Sequence, residues 1–424
     1  MLLKPSLFNL LFLQQPEKYG YYNTYSGALI TLDSPIEQFL SGGEPQIRKK
    51  LTELGFLVPA EVDEIRRFVL ERKQSQFSVQ NRVAHFVVAP TMNCQAHCAY
   101  CFESGVDRKR SMSAETAEAA SRFLCQEIER IQPQRVVLAF FGGEPLLQRQ
   151  RILEIGHSLK TYCDGKGITL STQFVTNGIL LDRSLAEEYC REINLRHAQI
   201  TLDGTREYYC RAKGIDCYDQ VVQNIGDICD LIQVLVRLNI SPDNRDDILR
   251  VIDDLLLRHG LRNKIKLSLA RIQNFSGTDL SSEDCLSRLE YAQFRAACYC
   301  SPAWAGSSLP PKDLLPHVHK CFCGMENCMA SAIGPDGELY KCEHHYGIPG
   351  EIIGSVEAGH FYNTSEMDFY GPLDAKCLER NCVLLPACTG GCRSEYLHAG
   401  VPQDCDEQLQ EVLLNLQTYY NVTH

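Results

Sequence analysis

The sequence predicts an α/β protein. A parallel sheet, open or curled into part of a barrel, lies between a small winged-helix-like N-terminal unit and a cysteine-rich C-terminal end. Three observations carry this. Between residues 83 and 271, short apolar runs rich in β-branched residues alternate with helical stretches. The first 82 residues have another texture, an aromatic hairpin-like run followed by short helices. From Cys321 onward, cysteines crowd a stretch with little periodicity.

The bulk numbers narrow the class. At 424 residues the chain is long for one core, so two or three domains are expected. With 44% hydrophobic and 22% charged residues it reads as globular. A net charge of −11 without a basic stripe argues against a nucleic-acid partner. The apolar start, "MLLKPSLFNLLFLQQ", is interrupted by Pro5 and Asn9 and is followed by no small-residue cleavage site. No run reaches the length of a membrane span, so no membrane partner is expected. Twenty-one cysteines in a chain of this length point to a reducing cytoplasm, where clustered thiols bind metal more often than they pair.

Each element follows in order. In residues 1–82, "YGYYNTYSGALITL" reads as a hairpin, and "PIEQFLSGG", "QIRKKLTELGFLV" and "EVDEIRRFVLERK" as short helices and a strand. A packing extension of the main domain is the alternative. In residues 83–271, "AHFVVAP", "RVVLAFFGG", "ITLSTQFVTNG", "HAQITLDG", "IQVLVRLNI" and "KIKLSLARI" read as buried strands. Helices are expected over 113–131, with Ser113 as N-cap, and over 147–163, 184–191, 218–231 and 244–259. Residues 272–320 read as an irregular connector. Residues 321–424 are loop-rich, and metal is expected to hold them together.

In such folds ligands gather at the carboxyl ends of the strands. "CQAHCAYC" follows the first of these strands, with Cys94, Cys98 and Cys101 separated by three and two residues. Three thiolates can hold three corners of an iron–sulfur cubane and leave one iron open. A zinc site would want a fourth ligand, for which His97 is the candidate. With Tyr100 before the last cysteine, the loop resembles the signature of radical S-adenosylmethionine (SAM) enzymes. That resemblance implies a partial (βα)6 TIM-like barrel. It also implies a [4Fe–4S] cluster that binds SAM, and cleavage of SAM to a 5′-deoxyadenosyl radical that abstracts hydrogen from the substrate.

Further matches lie at later strand ends. In "FFGGEPLL", Gly142 and Gly143 permit close approach to a ligand and Glu144 can pair with an ammonium. The resemblance gives Glu144 the amino group of SAM. It gives Asn177 in "VTNG" the nucleoside, Thr201 in "ITLDGT" a contact to the cofactor, and Lys213 in "CRAKG" the carboxylate of SAM. Strand-end capping or a solvated charge is the plainer alternative for these last three.

The C-terminal cysteines resemble the SPASM extension, which implies two auxiliary [4Fe–4S] clusters, three clusters in all. Matched by spacing to that pattern, Cys323, Cys328, Cys342 and Cys392 would hold the nearer cluster, and Cys377, Cys382, Cys388 and Cys405 the outer one. Cys321 is spare, because "CGM" at Cys323 resembles the usual start. The later run has gaps of four, five and three, where the pattern has two, five and three. Zinc knuckles are the alternative. Cys125, Cys163, Cys190 and Cys229 read as small apolar residues on helices, and Cys298 and Cys300 have no assigned role. Glu343, next to Cys342, stands where sulfatase-maturing relatives carry an acidic base.

The N-terminal unit resembles the leader-recognition domains of peptide maturases. Together these resemblances imply a cytoplasmic radical SAM maturase that crosslinks a ribosomally made peptide, through a thioether or a carbon–carbon bond. Its partners would be a precursor peptide with a leader and a flavodoxin- or ferredoxin-type electron donor. A formylglycine-forming sulfatase maturase is the competing enzyme. A non-catalytic iron–sulfur or zinc sensor is the competing class.

Overall fold

The computed structural model describes residues 2–41, 44–77, 83–273, 280–305, 312–360, 363–394 and 404–424. The chain begins with β1 (Leu3–Pro5), β2 (Asn9–Gln15), β3 (Lys18–Asn23), β4 (Leu29–Leu32) and β5 (Leu57–Pro59). β2, β3 and β4 form an antiparallel sheet in that order, and β1 pairs with β5. The predicted hairpin is β3–β4. The apolar start, read only as an interrupted signal-like run, supplies β1 and β2. The helices Pro45–Glu53 and Glu64–Phe77 complete the unit. It has a core of its own, built on Tyr21, Ile36, Phe39, Leu51, Phe56 and Leu57. The expected boundary at 82/83 falls beside residues 78–82, which lie outside the described residues.

The six expected strands are present as β6 (Val83–Val88), β7 (Arg135–Phe140), β8 (Thr169–Thr176), β9 (Leu195–Thr201), β10 (Gln233–Ile240) and β11 (Lys266–Arg271). All are parallel and in sequential order. Their pleat divides the work. Ala84, Phe86, Val88, Val136, Leu138 and Phe140 join the core under the helices. His85, Val87, Val137, Ala139 and Gln173 line a cavity. Helix Ala114–Ile131 starts at Ser113, whose hydroxyl accepts from the Thr116 N–H at 3.1 Å. Helix Arg183–Ile193 is capped likewise by Asp182. The last expected helix is Arg245–Asp253, continued by one wider turn over Asp254–Arg258. Helix Arg206–Lys213 was not foreseen; its eight residues are too few for a clear apolar period.

The C-terminal region departs most from expectation. It does not stand apart as loops. β12 (Ala330–Ile333) pairs in parallel with β6, and β13 (Glu338–Tyr340), β14 (Gly354–Ser355) and β15 (Gly359–His360) continue the sheet antiparallel. The result is a ten-stranded sheet, open at β11 and β15. Ile333, Leu339 and Ile353 enter the main core, so part of this region is held by ordinary burial.

The stretch 272–320 is also more regular than expected. It contains helix Arg288–Tyr299, opened by a Ser287–Glu290 capping box. That helix meets the final helix Cys405–Thr423, where Leu289 N–H donates to Glu407 Oε1 at 3.2 Å. Residues 274–279 and 306–311 of this stretch lie outside the described residues. Among the described residues, no helix is long and apolar enough to cross a membrane.

Candidate active site

The first βα loop of the large sheet is pinched at its neck. Thr91 and Ser111 bridge as extended residues, their hydroxyls 2.7 Å apart, and Met92 N–H donates to Arg110 O at 2.9 Å. Between them stand Cys94, Cys98 and Cys101, all partly buried. Burial raises the Cys94 thiol and pushes the Cys101 thiol up to about 12. His97, the candidate fourth zinc ligand, is exposed, and its backbone N–H donates to Lys213 O at 2.9 Å.

The second βα loop seats directly on the first. Gly143 N–H donates to Thr91 O at 3.0 Å and Glu144 N–H to Asn93 O at 2.7 Å. A Cβ on Gly143 would stand 2.3 Å from Asn93 O, and one on Gly142 would stand 2.6 Å from Thr91 O. Gly142 also has φ +103°. The sequence alone suggests that these glycines make room for a ligand. The structure gives them another neighbour, the backbone that leads into the cysteines.

Glu144 is fully buried. Its Oε1 accepts from Leu146 N–H at 3.1 Å and Thr176 Oγ1 at 2.8 Å, and its Oε2 from Asn177 N–H at 2.8 Å. Burial outweighs these donors and pushes its carboxyl up to about 7. Asn177, expected at the nucleoside, turns its amide toward the Cys94 Sγ at 3.8 Å. Thr201 is half-buried at the last position of β9. Lys213, expected at a carboxylate of SAM, lies 3.2 Å from Asp203 Oδ2 and 3.3 Å from Tyr100 OH, with both charged side chains buried. Tyr100 donates to the same Asp203 oxygen.

Sequence reasoning missed Asp203, Thr176 and Glu103. Asp203 lies two residues past the end of β9 in "TLDG", with φ +64°, and its other oxygen accepts from Asn239 N–H at 2.8 Å. An acid before glycine at a strand end was a usable signal. Glu103, two residues past Cys101, is buried, and burial pushes its carboxyl up to about 8. Nothing in its sequence context marks it.

Residues 88–255 match the family model described as the Radical SAM superfamily. The chain carries a radical SAM domain. No curated protein matches the sequence. Among solved structures, the chain is similar to anSMEcpe with bound AdoMet and a Cp18Cys peptide, at 17% identity and TM-score 0.62. That match covers 80% of this chain and 98% of that one. It is also similar to Streptococcus suis SuiB, at 15% identity and TM-score 0.56, over 94% of this chain and 98% of that one. SuiB bound to its precursor peptide SuiA matches at 14% identity and TM-score 0.53, over 95% and 98%. At these identities the likeness speaks for the fold.

The radical SAM domain implies a [4Fe–4S] cluster and SAM. Among the described residues, no three His, Cys, Asp or Glu side chains converge on one ion-sized point. A cubane asks less, because each thiolate meets its own iron. Three thiols on one pinched loop, beside a buried carboxylate that can take an ammonium, fit that group.

Of the C-terminal cysteines, Cys323, Cys342 and Cys392 line the cavity over the inner pleat of β6–β8. It has a volume of about 330 Å³, and Glu343 and His344 line it too. Glu343 Oε2 is buried and accepts no hydrogen bond among the described residues. Cys328, expected with this group, does not line the cavity; its thiol feels Lys341, Arg130 and Glu366. Cys321, the expected spare, lies by Ser75 and Glu326. The outer four lie within electrostatic reach of one another. Burial first, then Cys388, Cys382 and Cys405, push the Cys377 thiol up to about 11. Cys163 and Cys298 are buried in the core, and Cys125, Cys190 and Cys229 pack against it. Cys300 is exposed.

Proposed function

We propose that the chain is a radical SAM maturase that installs a crosslink, thioether or carbon–carbon, in a ribosomally made peptide carrying a leader. The observation that carries this is the cavity shared by the barrel strands and the C-terminal thiols, with Glu343 in its lining. Bound, the cluster on Cys94, Cys98 and Cys101 and its SAM would supply a 5′-deoxyadenosyl radical. The chain's own residues bind and orient. Glu144 takes the amino group of SAM, the Tyr100–Asp203–Lys213 group stiffens the cysteine loop against β9, and Glu343 takes a proton from the substrate radical, whose remaining electron the auxiliary clusters would accept when bound. Cys323, Cys342 and Cys392 would hold one auxiliary cluster, with Cys328 as fourth ligand after local movement. Cys377, Cys382, Cys388 and Cys405 would hold another. Electrons would arrive from a flavodoxin- or ferredoxin-type donor.

The N-terminal sheet supports a leader site. The outer edge of β2 faces the last helix, where Gln417 Nε2 donates to Phe12 O at 3.1 Å. β4 is the other edge, and no strand pairs with it there among the described residues. A leader would add to it as a further strand. The SuiB match reaches 94% of this chain, whereas the anSMEcpe match leaves about a fifth uncovered, the size of the N-terminal unit. Formylglycine formation is the second reading, because the cavity and its thiols serve it equally.

The test is anaerobic incubation of the reconstituted enzyme with SAM, a reductant and a leader-bearing peptide, read by mass spectrometry. A crosslink removes two hydrogens and blocks fragmentation between the joined residues. Formylglycine gives an aldehyde that a hydrazine traps. Absence of 5′-deoxyadenosine would favour a sensor.

A further inference from the structure

The helix Glu64–Phe77 belongs to the N-terminal unit in sequence, yet its inner face is turned onto the loop that carries Cys321, Cys323 and Cys328. Arg72 and Glu326 have side chains 2% and 0% exposed, and their charged atoms stand 2.6 Å apart. Both Glu326 oxygens are engaged. Oε2 takes Arg72 and, at 3.4 Å, Gln76 Nε2; Oε1 accepts from Phe322 N–H at 2.8 Å. The end of the helix holds the other side of the loop. Ser75 O accepts from Asn327 Nδ2 at 3.0 Å, and Gln76 O accepts from Cys328 N–H at 2.9 Å. Glu326 also acts on the thiols of Cys321 and Cys323.

A buried ion pair is seldom a net source of stability, because desolvating two ions costs about what their attraction returns. What it can supply is geometry. Glu326 ties Phe322, just before Cys323, to a helix more than two hundred residues away in sequence. We infer that the Arg72–Glu326 pair seats the 321–328 loop for cluster ligation, so that the N-terminal helix is part of the scaffold of the nearer auxiliary cluster. This rests on the reading above that the loop ligates such a cluster. Arg72 and Glu326 are positioning residues, acting through the loop they hold.

The experiment uses the full-length chain with Arg72→Met, Glu326→Met, both together, and Arg72→Lys, each reconstituted anaerobically. Iron per chain, the electron paramagnetic resonance spectrum of the reduced protein and thermal unfolding are read. Each Met single variant should lose one cluster, about four irons, while the SAM-induced change in the spectrum of the first cluster persists. The double variant should regain thermal stability, because no charge is left buried alone. It should not regain the iron, because Phe322 N–H still lacks its acceptor. Arg72→Lys should keep part of it. A double variant, or a Met single variant, with the wild-type iron content and spectrum overturns the inference. Wild-type protein that saturates at about four irons overturns the auxiliary-cluster reading itself and takes the inference with it.

Discussion

Asn177 donates its backbone N–H to Glu144 Oε2 at 2.8 Å and turns its side-chain amide to the Cys94 sulfur at 3.8 Å. The end of the third parallel strand therefore holds both the carboxylate of the second loop and the first thiol of the first loop. Three consecutive strand ends are joined into one surface by the chain's own hydrogen bonds. Preorganisation of this kind spares the binding step the cost of ordering those groups.

Glu144→Gln should weaken SAM binding to the reconstituted enzyme by about 10–100-fold, the worth of a charge-assisted hydrogen bond of about 1.5–3 kcal/mol. The pH dependence has a sign. Burial pushes this carboxyl up to about 7, and pairing with an ammonium favours its charged form. Wild-type affinity should fall as pH drops from about 7.5 to about 6, and the Gln variant should be flat there. Anaerobic calorimetry across that window reads both. The same raised carboxyl favours the folded apoprotein below the ordinary glutamate range, and that contribution is lost as pH rises through about 7.

Gly143→Ala should be far more damaging than its one methyl implies. The added Cβ meets Asn93 O at 2.3 Å and Met92 O at 2.5 Å, both backbone atoms that no rotamer change can move. The expected cost is about 3 kcal/mol or more. The shift falls on the residues that lead into Cys94, so iron at the first cluster should drop with it. Thermal unfolding of the apoprotein and iron analysis separate the two effects. Unchanged stability would mean that the second loop is free to lift off the first.

Cys94→Ala, Cys98→Ala and Cys101→Ala should each abolish formation of 5′-deoxyadenosine, because a cubane that lacks one of three protein ligands is not held. The wild-type chain should bind about twelve irons, from three clusters. Cys377→Ala should lower that count by about four and leave 5′-deoxyadenosine formation in the absence of peptide intact. Iron saturation at about four in the wild type would remove both auxiliary clusters.

What could be read in the sequence was local. The apolar β-branched runs became β6–β11, and Ser113 became the cap it looked like, because strand period and capping depend on neighbours within a few residues. The cysteine loop was legible for the same reason. The unread parts are long-range. Asp203 meets Tyr100 from 103 positions away, and β12 completes the sheet beside β6 although some 240 residues separate them. No periodicity encodes such meetings. Ser287 and Glu290 form a capping box whose spacing is legible, although the stretch 272–320 that holds it is rich in proline and serine and reads as irregular.

A leader peptide should slow hydrogen exchange at residues 29–32 and leave residues 9–15 unchanged. β4 has an outer edge that no strand pairs with among the described residues, whereas the outer edge of β2 faces the last helix. An added strand ties up the free N–H groups of an edge and protects them. The comparison within one sheet controls for general stabilisation. Protection spread evenly over β2, β3 and β4 would place the leader elsewhere.

Glu343→Gln should retain iron, SAM cleavage and hydrogen abstraction, yet lose product. Glu343 follows Cys342 and lines the cavity with Cys323, Cys342 and Cys392. Its Oε2 is buried and accepts no hydrogen bond among the described residues, so its capacity to accept a proton is unspent. A crosslink or an aldehyde both require a proton to leave the substrate after hydrogen abstraction, and a carboxylate at that point can take it. Glutamine keeps the shape and the acceptor oxygen but has no basicity to offer. Deuterium should therefore still pass from a labelled peptide to 5′-deoxyadenosine in the Gln variant, while modified peptide falls by about 100-fold or more, within the range a general base contributes. A variant that lost deuterium transfer as well would assign Glu343 to holding the substrate or the thiols. A variant that formed product at the wild-type rate would leave the carboxylate no part in the chemistry.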